Sequence, residues 1–145
     1  ADSLPPGIEI IEGGTLGYGL LGYLEGVGRL VLIDCADMGL PPGTVRTVPL
    51  TVWRRRRSGC GPSVHGISIL DALDLAQALD LAPPESYVVG VQPAQVALGF
   101  ELSEPVRRAL SRAVASARRA ATRGASKRAA HPAGRRQPWT SASGS

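Results

Sequence analysis

Apolar positions along the chain fall into short runs that alternate with helical stripes. Ile8-Glu9-Ile10-Ile11 is a β-branched run ended by Gly13-Gly14, the pattern of a buried strand closed by a turn. Leu16, Leu20, Leu21 and Leu24 recur at helical spacing, but Gly17, Gly19 and Gly22 interrupt them. Each such glycine costs up to about 1 kcal/mol relative to alanine in a helix. Residues 29–34 carry the continuous run Leu30-Val31-Leu32-Ile33 before Asp34, which fits a parallel strand covered on both faces. Beyond the loop Gly39-Leu40-Pro41-Pro42-Gly43, residues 44–52 alternate as another strand.

The spacing of Ile67, Leu70, Leu73 (or Asp74) and Ala78 predicts a helix over 67–79, stopped by Pro83-Pro84. Residues 87–91 read as a further buried strand. Ser103-Glu104-Pro105 opens a last helix with a favoured cap residue and an early proline. Its predicted apolar ridge is Val106, Leu110, Val114 and Ala117. Strands alternating with helices predict an α/β sandwich with a mostly parallel sheet.

Charge divides the chain in two. Residues 1–103 hold six arginines against eleven acidic residues, a net of −5, whereas 104–145 hold ten basic residues against one glutamate, a net of +9. The overall +4 is therefore no argument for nucleic-acid binding by the folded part. After about Ala120 the sequence is dominated by Arg, Ala, Gly, Ser and Pro, and such text cannot fill a core. This predicts a domain over 1–120 and a basic, disordered tail over 121–145. The tail is either native or the product of a frameshift in a GC-rich gene. Nucleic acid is expected only as a non-specific, salt-sensitive partner of that tail.

With 145 residues the chain suits one domain, and no apolar run reaches the roughly 20 residues of a bilayer span. Two cysteines, Cys35 and Cys60, make no disulfide framework, and reduced thiols in a cytoplasmic protein are expected. The sequence contains no H-E-x-x-H helix, G-x-S-x-G elbow, Walker loop or C-x-x-C pair.

Two potential metal ligands stand out. Asp34 closes its apolar run, and strand carboxyl ends are where open α/β sheets bind ligands. A helix cap or a loop hydrogen bond is the alternative. His65 follows the Gly/Ser/Pro-rich stretch Ser58-Gly59-Cys60-Gly61-Pro62-Ser63, where a surface or cap residue is the alternative. A carboxylate and an imidazole suit first-row divalent ions, nickel among them. A Cys35–His65 nucleophile pair is disfavoured, because strand alternation turns Cys35 away from Asp34. The run Arg54-Arg55-Arg56-Arg57 reads as a solvated loop or as a contact for an acidic partner surface.

The segments Val31-Leu32-Ile33-Asp34-Cys35-Ala36-Asp37, Ser63-Val64-His65 with Leu70-Asp71-Ala72-Leu73, Gly13-Gly14-Thr15, Pro42-Gly43-Thr44 and Val89-Gly90-Val91-Gln92-Pro93 all occur in the chain. Together they resemble the maturation endopeptidases that trim the large subunit of nickel–iron hydrogenases, from about Gly7 to about Ala115. The resemblance implies a three-layer α/β sandwich with a mostly parallel twisted sheet. It also implies that the family's first strand and helix, with its G-x-G-N turn and a glutamate ligand, are missing from this span. A chain lacking a strand of its sheet is expected to be inactive alone and to fold poorly or aggregate.

By the same resemblance, Asp34 and His65 are catalytic and contact nickel, with Asp37 a further possible participant or a plain turn residue. Gly13, Gly14 and Thr15 border the substrate cleft, although Glu12 stands where the family carries aspartate. Nickel arrives with the substrate, a hydrogenase large-subunit precursor, and no organic cofactor or membrane partner is implied. The implied activity is aspartic-type endopeptidase cleavage near the precursor's C-terminus, in the cytoplasm. The resemblance leaves open whether the metal serves recognition alone or also polarises the scissile carbonyl. A non-catalytic relict or binding module with the same fold is the alternative.

Overall fold

The computed structural model describes residues 4–14, 16–57, 69–95 and 101–123. Its elements, in chain order, are a 3-10 turn at Gly17–Leu20, α1 at Leu21–Leu24, β1 at Arg29–Cys35, β2 at Val45–Pro49, α2 at Leu50–Arg57, α3 at Ile69–Ala78, β3 at Glu85–Val91 and α4 at Glu104–Thr122. The described strands form one sheet in the order β1-β3-β2. β1 runs parallel to β3, with Asp34 opposite Gly90, and β2 runs antiparallel to it, with Val48 opposite Val88. The expected α/β architecture is present.

Alternation along the strands builds two cores, since successive side chains point to opposite faces. Leu30, Leu32, Val48 and Val88 join Leu20, Leu24, Leu50, Trp53, Leu73 and Ala76 on the face covered by the 3-10 turn and α1 to α3. Val31, Val45, Val89 and Val91 meet Val106, Ala109 and Ala113 of α4 on the other. Gly90 leaves room on the first face for the Met38 sulfur and the Trp53 ring, which lie 3.1 and 3.3 Å from where a Cβ would be.

Four local expectations change. Residues 8–11 form no strand, and Ile10 is 72% exposed. The described residues offer this run no strand to pair with, so water satisfies its backbone better than an isolated extended segment could. The run at 30–33 is a strand but is not covered throughout: β1 lies at an edge of the described sheet, and Ile33 is 56% exposed.

Residues 44–52 split into a strand and a helix. Pro49 ends β2, where its missing N–H ends the ladder, and α2 begins at Leu50. Helical spacing then brings Leu50 and Trp53 onto the core. It also places the arginine run at the helix's C-terminal end rather than in a loop, where positive charge favours the helix dipole. Arg54 pairs with Asp74 of α3 at 2.5 Å.

The ridge of α4 is the fourth change. Its buried side chains are Val106, Ala109, Ala113 and Ala120, while Leu110 and Val114 stay exposed. Both stripes satisfy a 3.6-residue period. Turning the helix to seat Leu110 and Val114 would swing Arg107 and Arg118 towards the sheet, and charges are not buried without partners. Ser103 sits at the N-cap with extended backbone, yet its side chain makes no cap bond. At the other end, the Arg29 guanidinium pairs with Glu85 and donates to the carbonyls of Ala120 and Ala121 at 3.1 and 3.0 Å. The last turn of α4 is thereby tied to the start of β1, and two otherwise orphaned carbonyls are satisfied.

Candidate functional site

The candidate site gathers where β1 and β3 end side by side. Asp34 is the sixth residue of the seven-residue β1, exposed, beside Gly90. Alternation puts it on the face of Leu30 and Leu32, and Cys35 on the other. The parallel ladder runs on one step further, with the Ala36 amide donating to the Val91 carbonyl at 2.9 Å. Burial, and then the charge of Asp34, push the Cys35 thiol above its ordinary value. A raised thiol pKa means less thiolate at neutral pH, which argues against Cys35 as a nucleophile.

Residues 36–44 fold over the ends of the strands, and a side chain from β3's side organises them. Gln92 follows β3 and is only 7% exposed. Its Oε1 accepts from the Met38 amide at 2.7 Å and the Leu40 amide at 3.3 Å. Its Nε2 donates to Asp37 Oδ1 at 3.2 Å and to the Pro93 carbonyl at 3.3 Å. The Gln92 amide donates to the Thr44 carbonyl and its carbonyl accepts from Gly43, both at 2.8 Å. Asp37 Oδ1 also accepts from the Gly39 amide at 3.1 Å. Asp37 thus supports the turn, the plainer of its two expected roles, in the loop that follows Asp34 and β1.

The bond from Gly39, and then that from Gln92, hold the Asp37 carboxyl below its ordinary value of 3.8, against a smaller opposing effect of burial. A depressed folded-state pKa means that the ionised form favours the folded chain. That contribution is complete above the unfolded value and is lost as pH falls through the lower folded value. Asp37→Asn should therefore differ from the unsubstituted chain at neutral pH and converge with it in acid. Urea midpoints measured in steps below about pH 5, where carboxylates titrate, check this. A difference that stays constant across the series would refute it.

Gly13 and Gly14 are exposed, and the Leu16 amide donates to the Gly13 carbonyl at 2.8 Å, with Gly14 at φ +31°. This is a tight turn leading into the 3-10 segment. Thr15, the second expected ligand His65, Cys60 and the tail beyond 123 lie outside the described residues. Among the described residues no three His, Cys, Asp or Glu side chains converge as a metal site, and no helix is long and apolar enough to cross a membrane. The structure thus places Asp34 near the end of β1 and Asp37 in the loop that follows it. Gln92 is the residue to which sequence reasoning gave no role. The available signal was a lone amide between the buried run 88–91 and Pro93.

Comparison with known proteins is consistent with this geometry. The family model described as hydrogenase maturation protease matches residues 2–120. The hydrogenase expression/formation protein HupM of Azotobacter chroococcum is 36% identical over 114 residues, 78% of this chain and 54% of that protein. The corresponding HoxM of Azotobacter vinelandii is 33% identical over 76% of this chain and 54% of its own length. The chain thus spans about half the length of these curated relatives. Among solved structures, the hydrogenase maturating endopeptidase HybD from E. coli superposes with a TM-score of 0.73, at 25% identity, over 86% of this chain and 76% of that one. The [NiFe] hydrogenase maturation protease HybD from Thermococcus kodakarensis gives 0.63 at 29% identity, over 77% of each chain.

Proposed function

The chain belongs to the hydrogenase maturation protease family, and from that membership we propose that the protein carrying it is an endopeptidase. Its substrate is the nickel-loaded precursor of a hydrogenase large subunit, from which it removes a C-terminal extension. The observation that carries the reading is the position of Asp34. An exposed carboxylate at the carboxyl end of a parallel strand lies where open α/β sheets take their ligands, within the span that matches the family.

In this reading Asp34 and His65 contact the nickel that the precursor brings, a carboxylate–imidazole pair suited to a first-row divalent ion. Gly13, Gly14 and Thr15 border the groove that receives the extension. Asp37, kept ionised by Gly39 and Gln92, lies three residues from the metal contact and can orient it, while its lowered pKa makes it a poor proton acceptor. The protein works in the cytoplasm, where precursor and metal meet before the subunit joins its partner.

The test is incubation of purified precursor, with and without nickel, with the complete protein that carries this chain, followed by intact-mass analysis. The expected result is a single shortening at the C-terminus of the nickel-loaded form, with the nickel-free form left whole. Binding without any shortening would replace the protease by a non-catalytic binding module. Equal cleavage of both forms would remove nickel from the recognition step.

A further inference from the structure

We propose that Gln92 is the positioning residue of this site: its side-chain amide locks residues 37–40 against the end of β3, so that Asp37 is presented from a fixed loop beside Asp34 at the end of β1. The inference rests on the protease reading for its catalytic consequence, but the lock itself is independent of it.

A glutamine side chain has two donor hydrogens and one acceptor oxygen with two lone pairs. All four are used here. Oε1 receives the Met38 and Leu40 amides, and Nε2 gives to Asp37 and the Pro93 carbonyl. Turning the amide over would set its NH2 against two N–H donors and its oxygen against two acceptors. The surrounding groups therefore fix one orientation. A buried amide with every partner in place specifies its neighbours' geometry, because losing one partner leaves a desolvated polar group unpaired.

The bonds span the chain. Met38 and Leu40 stand 54 and 52 residues from Gln92 in sequence, and Asp37 stands 55. Without this side chain, only the main-chain bonds of Ala36 to Val91 and of Gly43 and Thr44 to Gln92 bracket the loop. Residues 37–40 between them would lose their hydrogen bonds to the end of β3 and be held there only by the packing of Met38 against the core. Asp34 is the last-but-one residue of β1, so its carboxylate leaves the sheet where this loop begins. A loop held from inside the fold keeps Asp37 at a defined place beside the metal-contacting Asp34. A loose one leaves it to search, which lowers turnover more than binding.

Gln92→Leu removes all four bonds while keeping much of the volume. Two measurements separate the lock from the catalytic role. Amide hydrogen exchange in the complete protein that carries this chain should show Met38 and Leu40 losing protection by about tenfold or more, with Val88 and Val89 in β3 unchanged. Unchanged protection at Met38 and Leu40 would overturn the proposal. In the precursor-processing assay, kcat should fall about 10–100-fold, as for residues that orient a metal ligand, with KM nearly constant.

A normal kcat beside altered exchange would overturn the positioning role and leave the protease reading intact. No processing by the unsubstituted protein would instead remove that reading and with it the catalytic consequence. Should Gln92→Leu fail to fold, Gln92→Met carries the test. It keeps the length of the side chain and loses all four bonds, so exchange at Met38 and Leu40 should rise and kcat fall as for Gln92→Leu. Unchanged exchange in Gln92→Met would overturn the lock, and an unaffected kcat beside raised exchange would overturn the positioning role.

Discussion

Asp34→Ala should abolish nickel-dependent processing of the hydrogenase precursor while leaving the fold intact. The two halves of this expectation have separate causes. Asp34 is exposed near the end of β1, which lies at an edge of the described sheet. Truncating an exposed side chain there should change stability by no more than about 0.5–1 kcal/mol. Loss of a direct carboxylate contact to a divalent ion should exceed the roughly 10–100-fold cost of losing an outer-shell partner. A fall of more than about 100-fold in processing rate is therefore expected, with the urea midpoint nearly unmoved. Asp34→Asn keeps the shape and a neutral oxygen donor and should retain part of the activity. Full processing by Asp34→Ala would remove the carboxylate from the mechanism and return it to a loop or cap role. Processing lost together with the folded state would assign Asp34 to structure.

Gly43→Ala should be the most damaging single methyl in the described fold. Gly43 lies at φ +81°, a region that costs a non-glycine residue about 1–2 kcal/mol. A Cβ there would stand 2.6 Å from the Pro105 carbonyl oxygen and 3.2 Å from its carbon. Both are backbone atoms in the first turn of α4, so relief requires loop and helix to separate, at an overpacking cost of about 1–3 kcal/mol. The same glycine donates to the Gln92 carbonyl and accepts from Arg112 at 3.1 Å. Moving it would disturb the anchor of the site loop as well.

Gly39 is the internal control. It has a similar φ of +66°, but nothing lies within 4 Å of the point where a Cβ would stand. Gly39→Ala should therefore cost only the conformational part. Urea denaturation of the Gly43 and Gly39 variants should give losses of about 2–5 and about 1–2 kcal/mol respectively. Equal losses would mean that the contact between loop and helix is absent in solution.

How much of this was readable beforehand depends on the kind of information each feature needs. The runs at 29–34 and 87–91 and the stripe at 67–79 predicted two strands and a helix. The structure places β1, β3 and α3 there, because a continuous apolar run and a 3.6-residue period are local signals. Asp34 was legible as a candidate for the same reason: a charged residue ending such a run must leave the sheet at its carboxyl end. The family's spaced segments were legible too, and the match over 2–120 agrees with them.

Other features depended on partners distant in sequence. Residues 8–11 have the composition of a strand, but pairing needs a neighbour, and the described fold supplies none. Two equally periodic stripes compete on α4. Arg107 and Arg118, set against a sheet face lined by Val31, Val45, Val89 and Val91, decide for the alanines. Pro49 turned an alternating pattern into a strand followed by a helix, a local signal that the alternation outweighed. Gln92 was the largest omission. Its importance lies in four hydrogen bonds, three of them to residues more than fifty positions away, and no window on the sequence contains both ends.

The sequence by itself determined the strand–helix alternation, the family and the carboxylate at the end of β1, because each is written in residues next to one another or in recognisable motifs. Tertiary structure alone decided which face of α4 is buried, where Arg29 fastens the end of that helix, and which side chain holds the Asp37 loop. Those choices compare the burial of apolar area and the satisfaction of polar groups across segments that meet only when the chain has folded.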